Sequence, residues 1–175
     1  MKVKFFTLAS VHMLLALIVG VIFLYLTYVI VRQIFKRKKL PVENNNVALG
    51  IFTAAIMFTV GYIMSGIFEP AVATAQILMK THLQPFMFLL SYLKSIGIFL
   101  LIAFVATILV VYTAIKVFDL LTASVDEFEE ISKGNVAVSI IMSAMIIVVA
   151  LLAKPSIGML IEALIPYPEI PGFGM

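Results

Sequence analysis

The chain has 175 residues, of which 63% are hydrophobic and 12% charged, and its formal net charge is +3. Ordinary soluble domains carry about 25% charged residues, so this composition excludes a typical soluble protein and indicates a membrane protein. The small positive charge gives no reason to expect a nucleic-acid partner. Because the chain has no cysteine, disulfides, thiolate nucleophiles and iron–sulfur ligation are excluded as well.

Four stretches contain no Asp, Glu, Lys or Arg: residues 5–31, 46–68, 95–115 and 134–153. A helix needs about 20 apolar residues to cross the hydrocarbon core, and helices that are apolar all round require an apolar solvent. We therefore expect an all-α, polytopic protein with four transmembrane helices, folded as one membrane domain over residues 1–175. The first run is too long for the core of a cleavable signal peptide, so we expect it to be retained.

The second and fourth runs open with related sequences. Residues 46–57 read NVALGIFTAAIM and residues 135–146 read NVAVSIIMSAMI. Identical residues stand at Asn46/Asn135, Val47/Val136, Ala48/Ala137, Ile51/Ile140 and Ala55/Ala144. Such a match predicts a duplication, with a first two-helix repeat over residues 1–70 and a second over residues 84–155. Since each repeat crosses the membrane twice, we expect the two copies to be parallel.

A cationic cluster follows the first apolar run and predicts the orientation of the chain. It consists of Arg32, Lys36, Arg37, Lys38 and Lys39. Short cytoplasmic loops are enriched in Lys and Arg, so we expect this loop inside and both termini outside. Such a cluster also predicts contact with anionic headgroups of the inner leaflet.

Asn46 and Asn135 stand where helices are expected to begin, and asparagine is among the best N-caps. The alternative is that the two asparagines face each other as a polar ring or a partner-docking point. Both helices then carry small residues four apart: Gly50 and Ala54 in the second span, Ser139 and Ser143 in the fourth. This spacing lets membrane helices approach closely, so it predicts packing of these two spans or, alternatively, subunit contacts.

Two charged residues precede prolines at related positions, Glu69-Pro70 and Lys154-Pro155. Proline disfavours helix continuation, so we expect these pairs to end the second and fourth spans. The two charges either reach the headgroups or form a pair that bridges the repeats or lines a vestibule. Beyond Pro155, an apolar stripe predicts a short outer interfacial helix followed by a tail, over residues 156–175. Residues 71–83 also have an interfacial composition.

An acidic stretch lies in the second cytoplasmic loop and comprises Asp126, Glu127, Glu129 and Glu130. We expect a solvated face, with a divalent-cation site or a docking site for a basic partner as the alternatives. His12 and His82 have no further ligand or cofactor motif beside them, so the sequence predicts no metal and no cofactor.

The segment from Phe118-Asp119 through the Glu-rich loop to Lys133-Gly134-Asn135-Val136-Ala137 resembles the hallmark of the YjfL-like bacterial inner-membrane proteins, a family of unknown function. Its members are short, duplicated and four-helical. The Gly-Asn-x-Ala element is the specific part, and the first repeat departs from it with Asn45 in place of Gly134. The resemblance implies a bacterial inner-membrane location and a context near membrane-stress proteins of the phage-shock type. It brings no catalytic residues.

The middles of the four runs contain no ionisable acid or base, whereas ion-coupled transporters keep one within the bilayer. No nucleophile, base and oxyanion site can be assembled from the sequence either, so we expect no enzymatic activity. The sequence instead predicts a self-associating scaffold or membrane-stress component that binds lipid, or a membrane protein partner, through its cytoplasmic loops. The alternative is a small homo-oligomeric ion channel, or a channel or transporter accessory subunit.

Overall fold

The computed structural model describes residues 2–38, 40, 45–81, 84–122 and 126–167. Within these ranges the chain is helical with short turns. The helices are α1 Lys2–Arg37, α2 Val47–Met64, α3 Phe68–Lys80, α4 Pro85–Leu121, α5 Glu127–Ser132 and α6 Val136–Glu162.

In the described part of the chain, four helical stretches are long and apolar enough to cross a membrane: Met13–Arg37, Val47–Lys80, Pro85–Leu121 and Val136–Glu162. The prediction of an all-α protein with four candidate spans is therefore confirmed. The chain is a multi-pass membrane protein. We call the end that carries Arg32, Lys36 and α5 the cationic end, and the opposite end, with α3 and the end of α6, the far end.

The sequence predicts that the second span ends at Glu69-Pro70. This prediction is wrong. A 3-10 turn over Ser65–Ile67 joins α2 to α3, and Glu69 and Pro70 lie in the first turn of α3. An amide N–H in the first turn of a helix has no partner within that helix, so proline costs little there. The helical path therefore continues to Lys80, through residues that the sequence placed in an interfacial segment.

The fourth span also continues past its proline. Pro155 lies inside α6, which ends at Glu162, so the prediction that Lys154-Pro155 ends this helix is wrong. Membrane helices tolerate proline because neighbouring groups satisfy the carbonyl that it frees. The apolar stripe beyond Pro155 splits between two environments, with Ile157 and Ile161 buried and Leu160 exposed.

The core has two main clusters stacked along the bundle. The cluster at the cationic end includes Phe35, Phe52, Phe118, Ile131 and Met142 and so joins α1, α2, α4, α5 and α6. The cluster at the far end draws on α2, α3, α4 and α6. The most extensive packing is between α2 and α6, and α1 packs mainly against α2. Thus α2 and α6 form the centre and α1 lies at the periphery.

Candidate functional site

Asn46 links the start of α2 to α5. Its Oδ1 accepts a hydrogen bond from the backbone N–H of Leu49 at 2.8 Å, which caps α2 as predicted. Its Nδ2 donates to the carbonyl oxygens of Ile131 and Ser132 at 2.8 and 2.9 Å. Carbonyls at the end of a helix lack partners within it. One side chain therefore caps a helix of the first half and satisfies two carbonyls of the second.

Asn135 caps α6 through a hydrogen bond from the N–H of Val138 to its Oδ1 at 3.2 Å. Its Nδ2 donates to Oε2 of Glu130 at 2.8 Å. Both predicted N-caps are thus confirmed. The amide groups of both asparagines bond to α5, and not to each other as a ring of facing asparagines would require.

The residue before each capping asparagine has a positive φ, +79° at Asn45 and +86° at Gly134. Glycine enters this left-handed region without steric penalty, and asparagine does so more readily than most residues. Asn45, which departs from the glycine of the second half in sequence, therefore adopts the same backbone conformation.

The acidic stretch is built into α5 and its surroundings. Asp126 caps α5 by accepting the N–H of Glu129 at 3.1 Å, and its Oδ1 lies 3.9 Å from Nζ of Lys38. Glu127 is only 4% exposed and accepts a hydrogen bond from Oγ1 of Thr122 at 2.7 Å. The expectation of a solvated face is therefore wrong for Glu127, because its carboxylate is buried against Thr122, the C-cap residue of α4.

Glu129 and Glu130 both contact Lys133, whose Nζ lies 2.8 Å and 3.7 Å from their carboxylate oxygens. The hydrogen bond to Glu129 is the main cause of a raised pKa for the Lys133 ammonium. The described residues contain no group of three or more His, Cys, Asp or Glu side chains placed to hold a metal ion. Asp126 therefore caps α5, and Glu129 and Glu130 contact Lys133.

The residues of the cationic cluster lie in two different environments, because α1 continues through Arg37. Arg32 and Lys36, one turn apart, line a cleft of about 610 Å³ between the end of α1 and the start of α2, together with Tyr28 and Asn45. We call this the cationic-end cleft. Arg37 is exposed, and Lys39 lies outside the described residues.

Lys38 turns toward α5. Besides its contact with Asp126, its Nζ lies 4.2 Å from the centre of the Phe128 ring. That ring packs with Phe35 and Phe52, with ring centres 5.7 and 6.0 Å away. This aromatic cluster could not be predicted from the sequence, because its members come from three separate helices with no shared spacing.

The second and fourth spans pack closely, as predicted. The predicted small residues of the fourth span lie at the contact, whereas those of the second span do not. Oγ of Ser139 donates to the carbonyl of Ala48 at 2.6 Å, and Oγ of Ser143 lies 3.5 Å from the carbonyl oxygen of Ile51. Gly50 and Ala54, in contrast, line the cationic-end cleft. Ala48 rather than Gly50 therefore lies at the contact with α6.

Lys154 contacts the first half of the chain, but not at Glu69. Its Nζ donates to Oγ of Ser65 at 2.8 Å and lies 4.1 Å from the centre of the Tyr62 ring. Because the helical path runs on through α3, Glu69 is exposed and the 3-10 turn presents Ser65 to Lys154 instead. The hypothesis of a Glu69–Lys154 pair is therefore wrong, although a contact between the halves exists. His12 and His82 lie outside the residues whose side chains are described.

Comparison with known family models finds one match within the second half of the chain. Residues 87–165 match the model for Domain of Unknown Function (DUF350). No curated protein and no solved structure matches the chain. The matched segment runs from the first turn of α4 through α5 to just beyond α6, so it contains the Gly134-Asn135 element and the acidic helix. Residues 87–165 of this multi-pass membrane protein are a DUF350 domain.

Proposed function

We propose that the protein is a non-enzymatic, self-associating scaffold of the bacterial inner membrane whose cationic end binds anionic lipid headgroups. The cationic-end cleft is the observation that carries this proposal. A membrane scaffold that is held at anionic lipid is consistent with a membrane-stress context, in which partner proteins assemble at the inner leaflet.

The chemistry of the cleft suits a phosphate group above an apolar chain. Arg32 and Lys36 lie on one face of α1, and the apolar part of the lining includes the buried Val31 and Phe35. Among the described residues, the lining contains no Asp or Glu. Within the described ranges neither cation forms an ion pair with a carboxylate. No described carboxylate therefore neutralises their charges, and polybasic groups at the surface gain about 1 kcal/mol each from anionic lipid.

The orientation that the proposal requires places the cationic end in the cytoplasm, in agreement with the positive-inside rule. The parallel duplication is part of the same proposal. Its structural support is the pair of left-handed residues, Asn45 and Gly134, each followed by an asparagine that caps a long helix.

The alternative function, an ion channel formed by several copies, has to draw its polar lining from few groups. The hydroxyls of Thr27, Thr53 and Thr107 each donate to a carbonyl four residues earlier in their own helix. Thr59 and Thr74 have buried hydroxyls without a partner among the described residues. A conducting path would therefore need an axis between subunits.

Lipid binding can be measured by native mass spectrometry of the detergent-solubilised protein with phosphatidylglycerol and phosphatidylethanolamine. We expect a preference for phosphatidylglycerol that falls about thirtyfold in Arg32→Gln/Lys36→Gln, as the loss of roughly 2 kcal/mol predicts. The matched control is Lys80→Gln/Lys94→Gln, which removes the same charge from exposed positions at the far end.

Equal affinity of both double variants would contradict the lipid-binding proposal. Ion flux through proteoliposomes containing the wild-type protein would contradict the scaffold and favour the channel. Detergent particles that remain monomeric at every protein concentration would contradict self-association.

A further inference from the structure

A second cleft lies between α1, α2 and α4, and its lining is almost entirely apolar. Its volume is about 340 Å³, within the range of about 300–1,000 Å³ that is typical of small-molecule sites. Phe23 of α1, Val60 of α2 and Leu100 of α4 represent its three walls. We call it the far-end cleft.

The position of this cleft along the helices places it in the leaflet away from the cationic end. Gly61, in its lining, lies about 22 Å along the helix from Asn46, and Gly97 lies about 28 Å from Lys116, at 1.5 Å per residue. The hydrocarbon core is about 30 Å thick. The far-end cleft is therefore at the depth of acyl chains, close to the headgroups of that leaflet.

Three glycines, one from each wall, keep the cleft open. Gly20, Gly61 and Gly97 all line it, and a Cβ atom built on any of them meets no atom within 4 Å. The helices are thus not brought into contact at these glycines, as they are in small-residue packing motifs. The space remains empty of protein atoms.

The medium around the protein limits what can fill this space. Water is not held by an apolar cavity, since it needs two to four polar partners. The lining offers few, notably the Ser65 hydroxyl and the Tyr92 phenol. An acyl chain from the adjacent leaflet fits both the polarity and the depth.

A cation stands beside the cleft at the level of the headgroups. Ser65 belongs to the lining and accepts the hydrogen bond from Nζ of Lys154 at 2.8 Å. Within the described ranges Lys154 forms no ion pair with a carboxylate. No described carboxylate therefore competes for this charge with the phosphate of a lipid whose chain occupies the cleft.

We propose that the far-end cleft is a phospholipid-binding site, in which one acyl chain lies against Gly20, Gly61 and Gly97 and the phosphate contacts Lys154. This site is separate from the cationic-end cleft and lies in the other leaflet. Either site can exist without the other.

The probe for this proposal is phosphatidylethanolamine with a photoreactive diazirine on its acyl chain, incorporated into proteoliposomes with the full-length protein. After irradiation, labelled peptides are mapped by mass spectrometry. We expect labelling concentrated at Phe23, Val60 and Leu100 above the level on exposed apolar residues such as Leu152. Gly61→Leu fills the cleft and should lower this labelling about tenfold, whereas Gly158→Leu, at another glycine with free space, should not.

Gly97→Leu repeats the test from a different helix, so a folding defect of one variant does not decide the result. Lys154→Gln should retain chain binding but lose the preference for phosphatidylethanolamine over diacylglycerol carrying the same photoreactive chain. Uniform labelling of all apolar faces, unchanged in both glycine variants, would overturn the proposal. If Gly61→Leu keeps the full labelling but loses an oligomer, the cleft binds a second copy of the chain. That result would also overturn the proposal.

Discussion

At the scale of single residues, the backbone conformation of Asn45 and Gly134 explains why asparagine in one half of the chain can stand where the other half has glycine. Both have a positive φ, where a residue with a Cβ other than asparagine or aspartate is disfavoured by about 1–2 kcal/mol. Asn45 and Gly134 therefore meet the same requirement for a positive φ, although they are different residues. In this conformation each of them positions the asparagine that follows it.

This requirement predicts an ordered series of variants. Gly134→Ala should lower the free energy of unfolding by about 1 kcal/mol or more, while Gly134→Asn should cost less, because asparagine already adopts this conformation at residue 45. Denaturant unfolding of the detergent-solubilised protein, followed by circular dichroism, measures the difference. An alanine variant as stable as the asparagine variant would show that φ at residue 134 is not the constraint.

The two capping asparagines should differ in importance, because Asn46 makes contacts beyond its own helix. Asn46→Ala removes a cap and two hydrogen bonds to α5 carbonyls, for a loss of about 2–3 kcal/mol. Asn135→Ala removes a cap and one bond to Glu130 and serves as the control, with a loss of about 1–2 kcal/mol. The same unfolding measurement ranks them. A larger loss for Asn135→Ala would contradict the linking role of Asn46.

At the scale of helices, the contact between α2 and α6 depends on Ser139. Ser139 and Ala48 are both 0% exposed, and the Ser139 hydroxyl donates to the Ala48 carbonyl. The backbones therefore approach where both residues are small, and a hydrogen bond between helices adds to the packing.

Ser139→Ala should lower stability by about 0.6–1.5 kcal/mol, in the range measured for hydrogen bonds between membrane helices. Ser139→Leu should cost more, since overpacking a close contact costs about 1–3 kcal/mol in addition. Ser143→Ala is the matched control, with a smaller effect because its oxygen lies 3.5 Å from its acceptor. Thermal unfolding in detergent gives the order. Equal effects of the two alanine variants would contradict the role assigned to Ser139.

Some features of these helices could be predicted from sequence patterns and others could not. The four spans and both caps were predictable, because they depend on local runs of apolar residues and on an asparagine just before each run. The continuation of the helices through Pro70 and Pro155 was not, because it depends on the position of proline within a turn and on neighbours that satisfy freed carbonyls.

At the scale of the whole molecule, four spans put the cationic end on one side of the membrane and the far end on the other. Because the chain has no cysteine, single substitutions report sidedness directly. Lys38→Cys and Lys133→Cys should share one side, and Lys80→Cys and Tyr167→Cys the other; all four positions are exposed.

In intact cells a membrane-impermeant maleimide should label only Lys80→Cys and Tyr167→Cys, as the positive-inside rule requires. Labelling after membrane permeabilisation is the control for reactivity at Lys38→Cys and Lys133→Cys. The reverse pattern would invert the orientation. Labelling of Lys38→Cys but not Lys133→Cys would contradict the shared side, and with it the four-span topology.

The apolar composition by itself determined that the chain crosses a membrane with four helices, and the residues Asn46 and Asn135 determined where two of them begin. Only the tertiary structure decided which faces meet: Ser139 lies against Ala48 while Gly50 lines a cleft, Lys154 bonds to Ser65 rather than pairing with Glu69, and Glu127 is buried. The physical reason is that lipid chains are as apolar as leucine side chains. A membrane helix is therefore hydrophobic on its lipid face and its packed face alike, so the length of an apolar run identifies the span but not its partner.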